Sequence, residues 1–428
     1  MRQWAVGIRK KIAMAGLAAG VLAASNVVCA QIPCGGYEVT AIIHAPECPP
    51  FGFPPTVGTD INEPIDGALP NVVGYYRCPA GEDQAFLWIG NEDKFITVPM
   101  PPGTILSRAF DITPDGAKIV GSFDLGGDGL GNLGFLYNHE TGKFTNLGTL
   151  PGGNWSEAHG INTLGQSTGF WGNNNIGPWQ AFIWEDGVMT DLGPSIGGAN
   201  NRGLDINNNG ALTGWWQRED NGDRIAFVWQ DRVMTDLGPI PGGFSSQGEG
   251  INIHNQITGW GKLPDPEGGG TVAHPFFWTD GRMIDLGTLP SFPLGWGRDI
   301  SDAGTIVGGF GGAGEAGFIW QDGVMTDLND LISPELGLNI ETAWAINQAG
   351  QIIADGENST SDVVSFVLIP IESPIGDFDG DCQVGASDLL ILLAAWGPCL
   401  DCDECDADLD QNCSVGASDL LILLTNWG

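Results

Sequence analysis

Two acidic segments near the end of the chain have the clearest chemistry, and the second repeats the first after 31 residues. Each carries oxygen-bearing side chains at its first, third, fifth and twelfth positions, with a backbone carbonyl available at the seventh. A calcium ion accepts six to eight oxygen ligands, and this spacing is typical of a calcium-binding loop. The alternative is an acidic run that is merely solvated. The predicted metal ligands are Asp377, Asp379, Asp381, Gln383 and Asp388 in the first loop, and Asp408, Asp410, Asn412, Ser414 and Asp419 in the second.

The sixth and twelfth positions of these loops distinguish them from the usual calcium-binding loop. Their sixth position, normally glycine, is Cys382 and Cys413, and their twelfth is Asp rather than Glu. Each loop leads into the sequence SDLLILL, whose Ser and Asp suit a first helical turn. In these features residues 376–428 closely resemble a type I dockerin, as found in secreted proteins of planctomycete bacteria. The resemblance implies two calcium ions and a cohesin-like or other extracellular protein partner, contacted through Ala386, Ser387, Ala417 and Ser418.

The middle of the chain contains seven copies of one repeat. The clearest motif of the repeat consists of a small residue, Phe, an apolar residue and usually Trp. The phenylalanines of successive copies lie 42 to 49 residues apart. A second motif centres on an isoleucine preceded by Asp, Gly or Ala, and a third motif reads V-M-T-D-L-G. The repeated phenylalanines are Phe86, Phe135, Phe182, Phe227, Phe276, Phe318 and Phe366.

Each repeat supplies at least three short strands bounded by turn residues, so we predict an all-β fold. Radial stacking of such units gives a seven-bladed β-propeller, with a solenoid as the alternative. The seventh repeat lacks the V-M-T-D-L-G strand, and residues 37–43 resemble it. We therefore expect this N-terminal strand to pair with the strand around Phe366 and close the ring, because a propeller must hide its edges.

The recurrent patterns LPGG, GIN..GQ..G and AF.W..G.M.DLG resemble the extracellular repeats named HAF after their His-Ala-Phe signature. The resemblance covers roughly residues 37–370, and the best copies read Gln-Ala-Phe or Ile-Ala-Phe. It implies export and a repeated scaffold, and it implies no defined reaction.

One position varies while its neighbours stay regular. It lies two residues before the repeated isoleucine and holds Phe110, His159, Leu204, Glu249, Arg298 and Trp344. If it precedes an inner strand, these side chains surround one mouth of a central channel, where ligands commonly bind. The alternative is an ordinary loop under relaxed constraint. The candidate ligand-binding residues are His159, Glu249, Arg298 and Trp344.

Composition limits the partners. The 428 residues carry 52 acidic and 16 basic side chains, a formal net charge of -36. This balance disfavours nucleic acid and anionic membranes, since phosphate binding needs a basic surface. The 67 glycines and 27 prolines, without a Gly-X-Y period, predict many tight turns and few long helices.

The N-terminus has the pattern of a signal peptide. Basic residues precede an apolar run at residues 12–24 and the sequence Val28-Cys29-Ala30. A membrane anchor needs roughly 20 apolar residues, and this run is shorter. We predict a signal peptide at 1–30, a repeat β-propeller at 31–370 and a tail with two calcium loops at 371–428, in a secreted protein that is extracellular or periplasmic.

Eight cysteines follow the signal peptide: Cys34, Cys48, Cys78, Cys382, Cys399, Cys402, Cys405 and Cys413. Export favours disulfides. Three lie near the front and five near the end, so either one bridge joins the two ends or each end keeps a free thiol. Zinc binding at 399–405 is an alternative without histidine support. The pairing stays open: a Cys382–Cys399 bridge would support the fold of the tail by linking the first loop to its helix end, with Cys413 lacking an equivalent partner. We expect Trp396 and Trp427 to close a small core between the two helices.

Two functions follow from these features. The first is a secreted, non-catalytic binding or assembly protein, with a glycan as a candidate ligand of the propeller. The second is a carbohydrate-active propeller enzyme of the glycoside hydrolase or lyase type. The sequence contains no HExxH motif and no phosphate loop. We therefore favour binding and predict no catalytic residue.

Overall fold

A computed structural model describes residues 36–45, 55–64, 68–77, 82–126, 131–173, 177–193, 200–266, 268–312, 314–371, 374–379, 383–399 and 405–427. The predicted signal peptide lies outside these residues, as do Asp381, Cys34, Cys48, Cys78, Cys382 and Cys402. The fold is mostly β, as the repeats predict. Within the described ranges no helix is long and apolar enough to cross a membrane.

Four sheets each contain four consecutive antiparallel strands in chain order. The first described strand, β1 (Tyr37–Ile43), belongs to none of them. The first of the four sheets is β2 (Thr56–Ile61), β3 (Val72–Arg77), β4 (Asp83–Ile89) and β5 (Lys94–Thr97). The second is β6 (Leu106–Ile112), β7 (Lys118–Asp124), β8 (Leu133–Asn138) and β9 (Lys143–Gly148). The third is β10 (Trp155–Ile161), β11 (Ser167–Gly172), β12 (Trp179–Glu185) and β13 (Val188–Asp191). The fourth is β14 (Asn201–Ile206), β15 (Leu212–Gln217), β16 (Arg224–Gln230) and β17 (Val233–Asp236).

A twelve-stranded sheet holds the other strands of the repeats and consists of three further groups of four. Single residue pairs, Ala273 with Leu294 and Gly309 with Thr342, join these groups. The first group is β18 (Gln247–Ile251), β19 (Ile257–Pro264), β20 (Thr271–Thr279) and β21 (Arg282–Asp285). The second is β22 (Leu294–Ile300), β23 (Ile306–Gly311), β24 (Ala316–Gln321) and β25 (Val324–Asp327). The third is β26 (Asn339–Ile346), β27 (Ile352–Glu357), β28 (Val363–Pro370) and β1.

Strand β1 pairs antiparallel with β28, and Ile42 lies opposite Phe366. This is the pairing that the sequence predicts for residues 37–43. One apolar cluster combines Phe86 of the first group with Ile353 and Val367 of the last. The two ends of the repeat array are therefore in direct contact.

The core lies between neighbouring groups of strands. The seven repeated phenylalanines sit in the third strands and are 0% exposed. Apolar side chains on both faces of these strands predict such double burial. Short 3-10 helices at Gly90–Glu92, Leu328–Leu331 and Pro334–Leu336 complete the repeat region.

The tail contains two helices, α1 (Ala386–Ala394) and α2 (Ala417–Thr425), each following one acidic loop. A short ladder joins β29 (Gly397–Pro398) to β30 (Ser414–Val415). The tail has its own apolar cluster around Val384, Leu392 and Leu423.

Candidate functional site

The first strand of each group, here called the inner strand, carries a β-bulge at an equivalent place. In β14 the pairing with β15 shifts between Gly203 and Asp205, which leaves Leu204 unpaired. A bulge re-aims a side chain that regular alternation would place elsewhere. The equivalent shifts in the other inner strands leave Thr59, Phe110, His159, Glu249, Arg298 and Trp344 unpaired.

A recurrent glycine in the second strand makes room for each of these bulges in the first six groups. A Cβ added at Gly214 would lie 1.9 Å from the carbonyl oxygen of Arg202 in the inner strand. At Gly259 it would lie 2.0 Å from the carbonyl oxygen of Gln247. Backbone therefore occupies the space that any larger residue would need, which explains the glycine in this part of the repeat.

All seven bulged residues line one cavity, here called the axial cavity, with a volume of about 310 Å³. The structure thus brings together His159, Glu249, Arg298 and Trp344, the four candidate residues of the sequence analysis. It adds Thr59 from the first inner strand, which the sequence comparison missed. The single hydroxyl hydrogen of Thr59 is shared between the carbonyl oxygens of Val73 and Ala109, at 3.2 and 3.1 Å from Oγ1.

Four aspartates, here called the aspartate ring, lie one residue beyond the bulges: Asp60, Asp111, Asp205 and Asp299. They line both the axial cavity and a second cavity of about 190 Å³. The ring therefore separates the two cavities. The signal for it was present in the sequence as the Asp that precedes four of the repeated isoleucines, but its role was not predicted.

The aspartate ring joins neighbouring inner strands. Asp205 accepts a hydrogen bond from the backbone N–H of Ile206 at 2.6 Å and another from Ile251 of the next group at 2.8 Å. Asp299 does the same with Ile300 and Ile346. The other two aspartates also reach the next group, where Asp60 accepts from Ile112 and Asp111 from Ile161.

The electrostatics of the aspartate ring oppose full ionisation. Burial, followed by the charge of Asp60, raises the pKa of Asp111 well above its ordinary value. Burial raises the pKa of Asp205 to about 6, and burial with the charge of Asp205 raises that of Asp299 to about 8. Backbone N–H donors act in the opposite direction without cancelling these effects. The floor of the axial cavity is thus less negative at neutral pH than four free carboxylates would be.

Hydrogen bonds and ring contacts fix the walls of the axial cavity. Trp344 donates from Nε1 to Asp355 at 2.7 Å. Glu249 accepts at Oε1 from Trp260 at 2.9 Å and from Gln247 at 2.7 Å. The ring of His159 stacks on Phe110, with centroids 4.4 Å apart. Such contacts hold the side chains in place before any ligand arrives.

The tail brings the predicted metal ligands together in two clusters. Carboxylate oxygens of Asp377, Asp379 and Asp388 lie within 4.8 Å of one another. Asp408, Asp410 and Asp419 form the equivalent cluster in the second loop. Carboxylate oxygens are the donors that a hard divalent cation prefers.

Each cluster is built on the start of a helix. Asp388 is 0% exposed and accepts from the backbone N–H groups of Phe378, Asp379 and Gly385. Asp419 accepts likewise from Asp410 and Gly416. The twelfth residue of each loop thereby ties the loop to its helix.

Three of the remaining predicted ligands, Gln383, Asn412 and Ser414, lie among the described residues. Gln383 and Asn412 are exposed. The backbone N–H of Asn412 donates to Asp408 at 3.1 Å, and the hydroxyl of Ser414 donates to the carbonyl oxygen of Gly397 at 3.3 Å. Asp381 lies outside the described residues.

Three interpretations of the tail that were based on its sequence do not hold. Trp396 and Trp427 do not close its core, since they are 48% and 46% exposed and lie beyond the ends of α1 and α2. A Cys382–Cys399 bridge is also excluded, because Cys399 is bonded to Cys405. These two sulfurs are therefore not available as zinc ligands. Cys413, expected to lack a partner, is disulfide-bonded as well.

The four predicted partner-binding residues are exposed at the helix starts: Ala386, Ser387, Ala417 and Ser418. In α1 the helical period places Leu390 and Leu393 on the same face as Ala386. Leu390 is 67% exposed and its counterpart Leu421 in α2 is 63% exposed. Each helix therefore presents a small and apolar face to solvent, opposite its buried face.

No family model matches the chain, and none of the curated proteins compared with it does. Among solved structures, oligogalacturonate lyase in complex with manganese is 9% identical, with a TM-score of 0.50 over 79% of this chain and 99% of that one. The β-propeller domain of the Trilobed protease from Pyrococcus furiosus is 12% identical, with a TM-score of 0.47 over 73% and 93%. Pyrococcus horikoshii acylaminoacyl peptidase is 13% identical, with a TM-score of 0.46, and this chain spans only 51% of its length. At these identities the likeness concerns the fold alone: the chain resembles β-propeller proteins.

Proposed function

We propose that this is a secreted binding and assembly protein, in which a closed seven-bladed β-propeller binds a glycan and a dockerin-like, calcium-dependent tail attaches it to an extracellular partner. The observation that carries the proposal is the convergence of all seven bulged residues in the axial cavity. These positions vary in chemistry while the scaffold around them repeats. A scaffold that presents different side chains at one point is suited to recognition.

Ring closure is supported by one interaction that recurs around the inner strands. The side-chain amide of Asn207 donates to the carbonyl oxygen of Asn252 in the next group at 2.8 Å. Asn347 of the last group donates in the same way to Asn62 of the first at 2.9 Å. The last group thus relates to the first as consecutive groups relate to each other. This favours a closed propeller over a solenoid.

The side chains of the axial cavity are better suited to binding a sugar than to catalysing a reaction on it. Val57, Phe110 and Leu204 supply apolar surface, and Glu249 supplies a carboxylate that can accept hydroxyl hydrogens. A volume of about 310 Å³ suits a single sugar unit or the end of a chain. The aspartate ring, whose members would be the natural acid and base of an enzyme, is engaged with backbone N–H groups between strands. We therefore propose binding rather than catalysis.

The tail is proposed to hold two calcium ions and to dock through its exposed helix faces. The support is the pairing of each carboxylate cluster with a helix start and an exposed face that are nearly the same in both copies. The ions would be held by the carboxylates of Asp377, Asp379 and Asp388 and by those of Asp408, Asp410 and Asp419. Near-identity of the two copies would allow docking in either orientation.

A glycan array tests the propeller half of this proposal. Residues 31–428 and a truncation ending at residue 370 should bind the same glycans, because the axial cavity lies wholly in the repeat region. Trp344→Ala should lose that binding and unfold at a lower temperature, because it also loses packing and the bond to Asp355, while circular dichroism should show that the β fold is retained. Absence of any glycan signal from both proteins, at a protein concentration of about 10 µM, would refute glycan binding.

A further inference from the structure

The guanidinium of Arg298 lacks a hydrogen-bond acceptor among the described residues. Its Nε is buried without a partner, and no ion pair within the described ranges includes it. Arg108, which lies two residues before the bulged Phe110 of another inner strand, differs in this respect, since its Nε donates to Asp83 at 2.6 Å. A buried donor left unsatisfied costs stability, more so when the group is charged. Arg298 therefore carries hydrogen-bonding capacity that the protein itself does not use.

Trp344 holds this guanidinium in place. The Cζ of Arg298 lies 4.6 Å from the centroid of the indole ring. The indole is fixed in turn by its hydrogen bond to Asp355. Stacking on an aromatic face leaves the N–H groups at the edge of the guanidinium plane free to donate, and their fork matches the two oxygens of a carboxylate.

The nearby acids do not neutralise Arg298. Glu249 lines the same cavity, but its Oε1 is engaged by Trp260 and Gln247. Asp299 is its neighbour in sequence, and both of its oxygens accept backbone N–H groups. The raised pKa of Asp299, due to burial and to Asp205, further reduces negative charge on the cavity floor near pH 7.

We propose that the axial cavity recognises an acidic sugar, a uronate unit whose carboxylate binds the guanidinium of Arg298. Hydroxyl groups of the sugar bind the free oxygen of Glu249, and its carbon–hydrogen face packs on Phe110 and Leu204. This inference rests on the proposed glycan binding and names its ligand class. A sulfated sugar offers an anion that the same guanidinium can also bind, so the experiment includes a sulfated trimer to separate the two ligand classes.

The test compares each acid with its own uncharged form. Trimers of galacturonic, glucuronic and mannuronic acid, their methyl esters and a sulfated neutral trimer are titrated into residues 31–428 by calorimetry at 50 mM salt. At least one acid should bind about ten- to one-hundred-fold more tightly than its ester, the range expected for a charge-assisted hydrogen bond. Arg298→Ala should abolish that ratio, and Arg298→Lys should restore part of it. Arg282→Ala removes an exposed charge from β21 and serves as the control, with no expected change.

The outcomes separate the two proposals. Equal affinity for acid and ester, or a ratio that survives Arg298→Ala, would overturn the uronate assignment and leave glycan binding standing. So would binding of neutral trimers alone, or Arg298-dependent binding of a sulfated trimer without any uronate binding. Failure of every glycan on the array would overturn both proposals. An unchanged unfolding temperature of Arg298→Ala shows that a loss of binding is not a loss of fold.

Discussion

The aspartate that precedes the repeated isoleucine has a structural role that its position in the sequence does not reveal. Asp205 and its equivalents satisfy backbone N–H groups of two neighbouring strands at once. Where the aspartate is missing, the residue is small, as at Gly160 and Gly250. A Cβ added at Gly160 would lie 2.9 Å from the Cα of Asp205. The alternation of Asp and small residues along the repeats is therefore explained by contact between neighbouring inner strands.

Asp205→Ala should destabilise the repeat region strongly. The backbone N–H groups of Ile206 and Ile251 would lose their acceptor, and each buried unsatisfied donor costs about 1–3 kcal/mol. The free energy of unfolding, measured in urea, should fall by about 2–5 kcal/mol. Glu219→Ala removes an exposed acid and is the control, expected within about 0.5 kcal/mol of the parent. A loss for Asp205→Ala no larger than the control's would contradict the bridging role.

The same ring predicts a pH dependence. Burial, with the charges of Asp205 and Asp60, raises the pKa of Asp299 to about 8, whereas an unfolded Asp titrates near 3.9, about the usual value. Between these values the folded protein retains a proton that the unfolded chain has released. This contribution to stability is therefore complete below about pH 4 and is lost as the pH rises to about 8.

Asp299→Asn should reduce that slope. The substitution costs stability at every pH because an acceptor is lost, but it removes the titration. Between pH 5 and 8 the free energy of unfolding of the parent should decline relative to the variant, by at most about 1.4 kcal/mol per pH unit. Urea unfolding at four pH values measures the difference. Parallel curves for the two proteins would show that Asp299 does not titrate in this range.

For the individual strands, the sequence repeats allowed their positions and one pairing to be predicted. Seven copies of the Phe motif located the third strands, and the missing V-M-T-D-L-G strand located the partner of β28. The bulges could not be predicted from the sequence, because a single extra residue in a strand does not change its composition. A bulge also breaks the two-residue alternation from which the buried and exposed faces of a strand are predicted. The variable position is therefore identifiable from the sequence, whereas the bulge that turns it toward the axial cavity is not.

Strand β1 supplies a test of closure. Removing residues 31–45 would expose the edge of β28 along its pairing from Tyr37 to Ile43 and would open the contact between first and last groups. The unfolding temperature should drop, and the truncated protein should be more prone to associate through the free edge. An unchanged melting transition would refute the idea that this strand closes the structure.

Two adjacent isoleucines on β1 give a matched pair of point variants. Ile43 is 1% exposed, whereas Ile42 is 40% exposed on the other face. Ile43→Ala should cost about 2–5 kcal/mol by leaving a cavity against the first group. Ile42→Ala removes the same atoms from the same strand and should cost much less. Similar losses for both variants would mean that β1 is not packed as described.

At the scale of the whole molecule, the chain joins two parts with different sources of stability. The repeat region buries seven phenylalanines between its strands, while the tail contains ten Asp and two Glu without one Lys, Arg or His. The carboxylate clusters of the tail were predictable because ligand spacing within a loop is local. Its core was not, because Leu392 and Leu423 are buried while Leu390 and Leu421, in the same run of leucines, are exposed. Which leucines face inward depends on the helix start.

The tail should therefore depend on calcium in a way that the repeat region does not. Clustered carboxylates repel one another, and a divalent ion that gathers them stabilises only the state in which they converge. Thermal unfolding of residues 31–428 should show two transitions, and calcium should raise the one that belongs to the tail. Chelator should lower that transition and leave the other unchanged.

Calorimetry can count the sites with matched variants. The parent should bind two calcium ions, the second loop more weakly because Asn412 replaces the aspartate of the first. Asp377→Ala and Asp408→Ala should each remove one binding event. Asp406→Ala is the control, since Asp406 lies just before the second loop, is exposed, and changes the net charge equally without being a predicted ligand. Loss of a binding event in Asp406→Ala, or two events in both loop variants, would show that general acidity rather than the loop clusters attracts the ion.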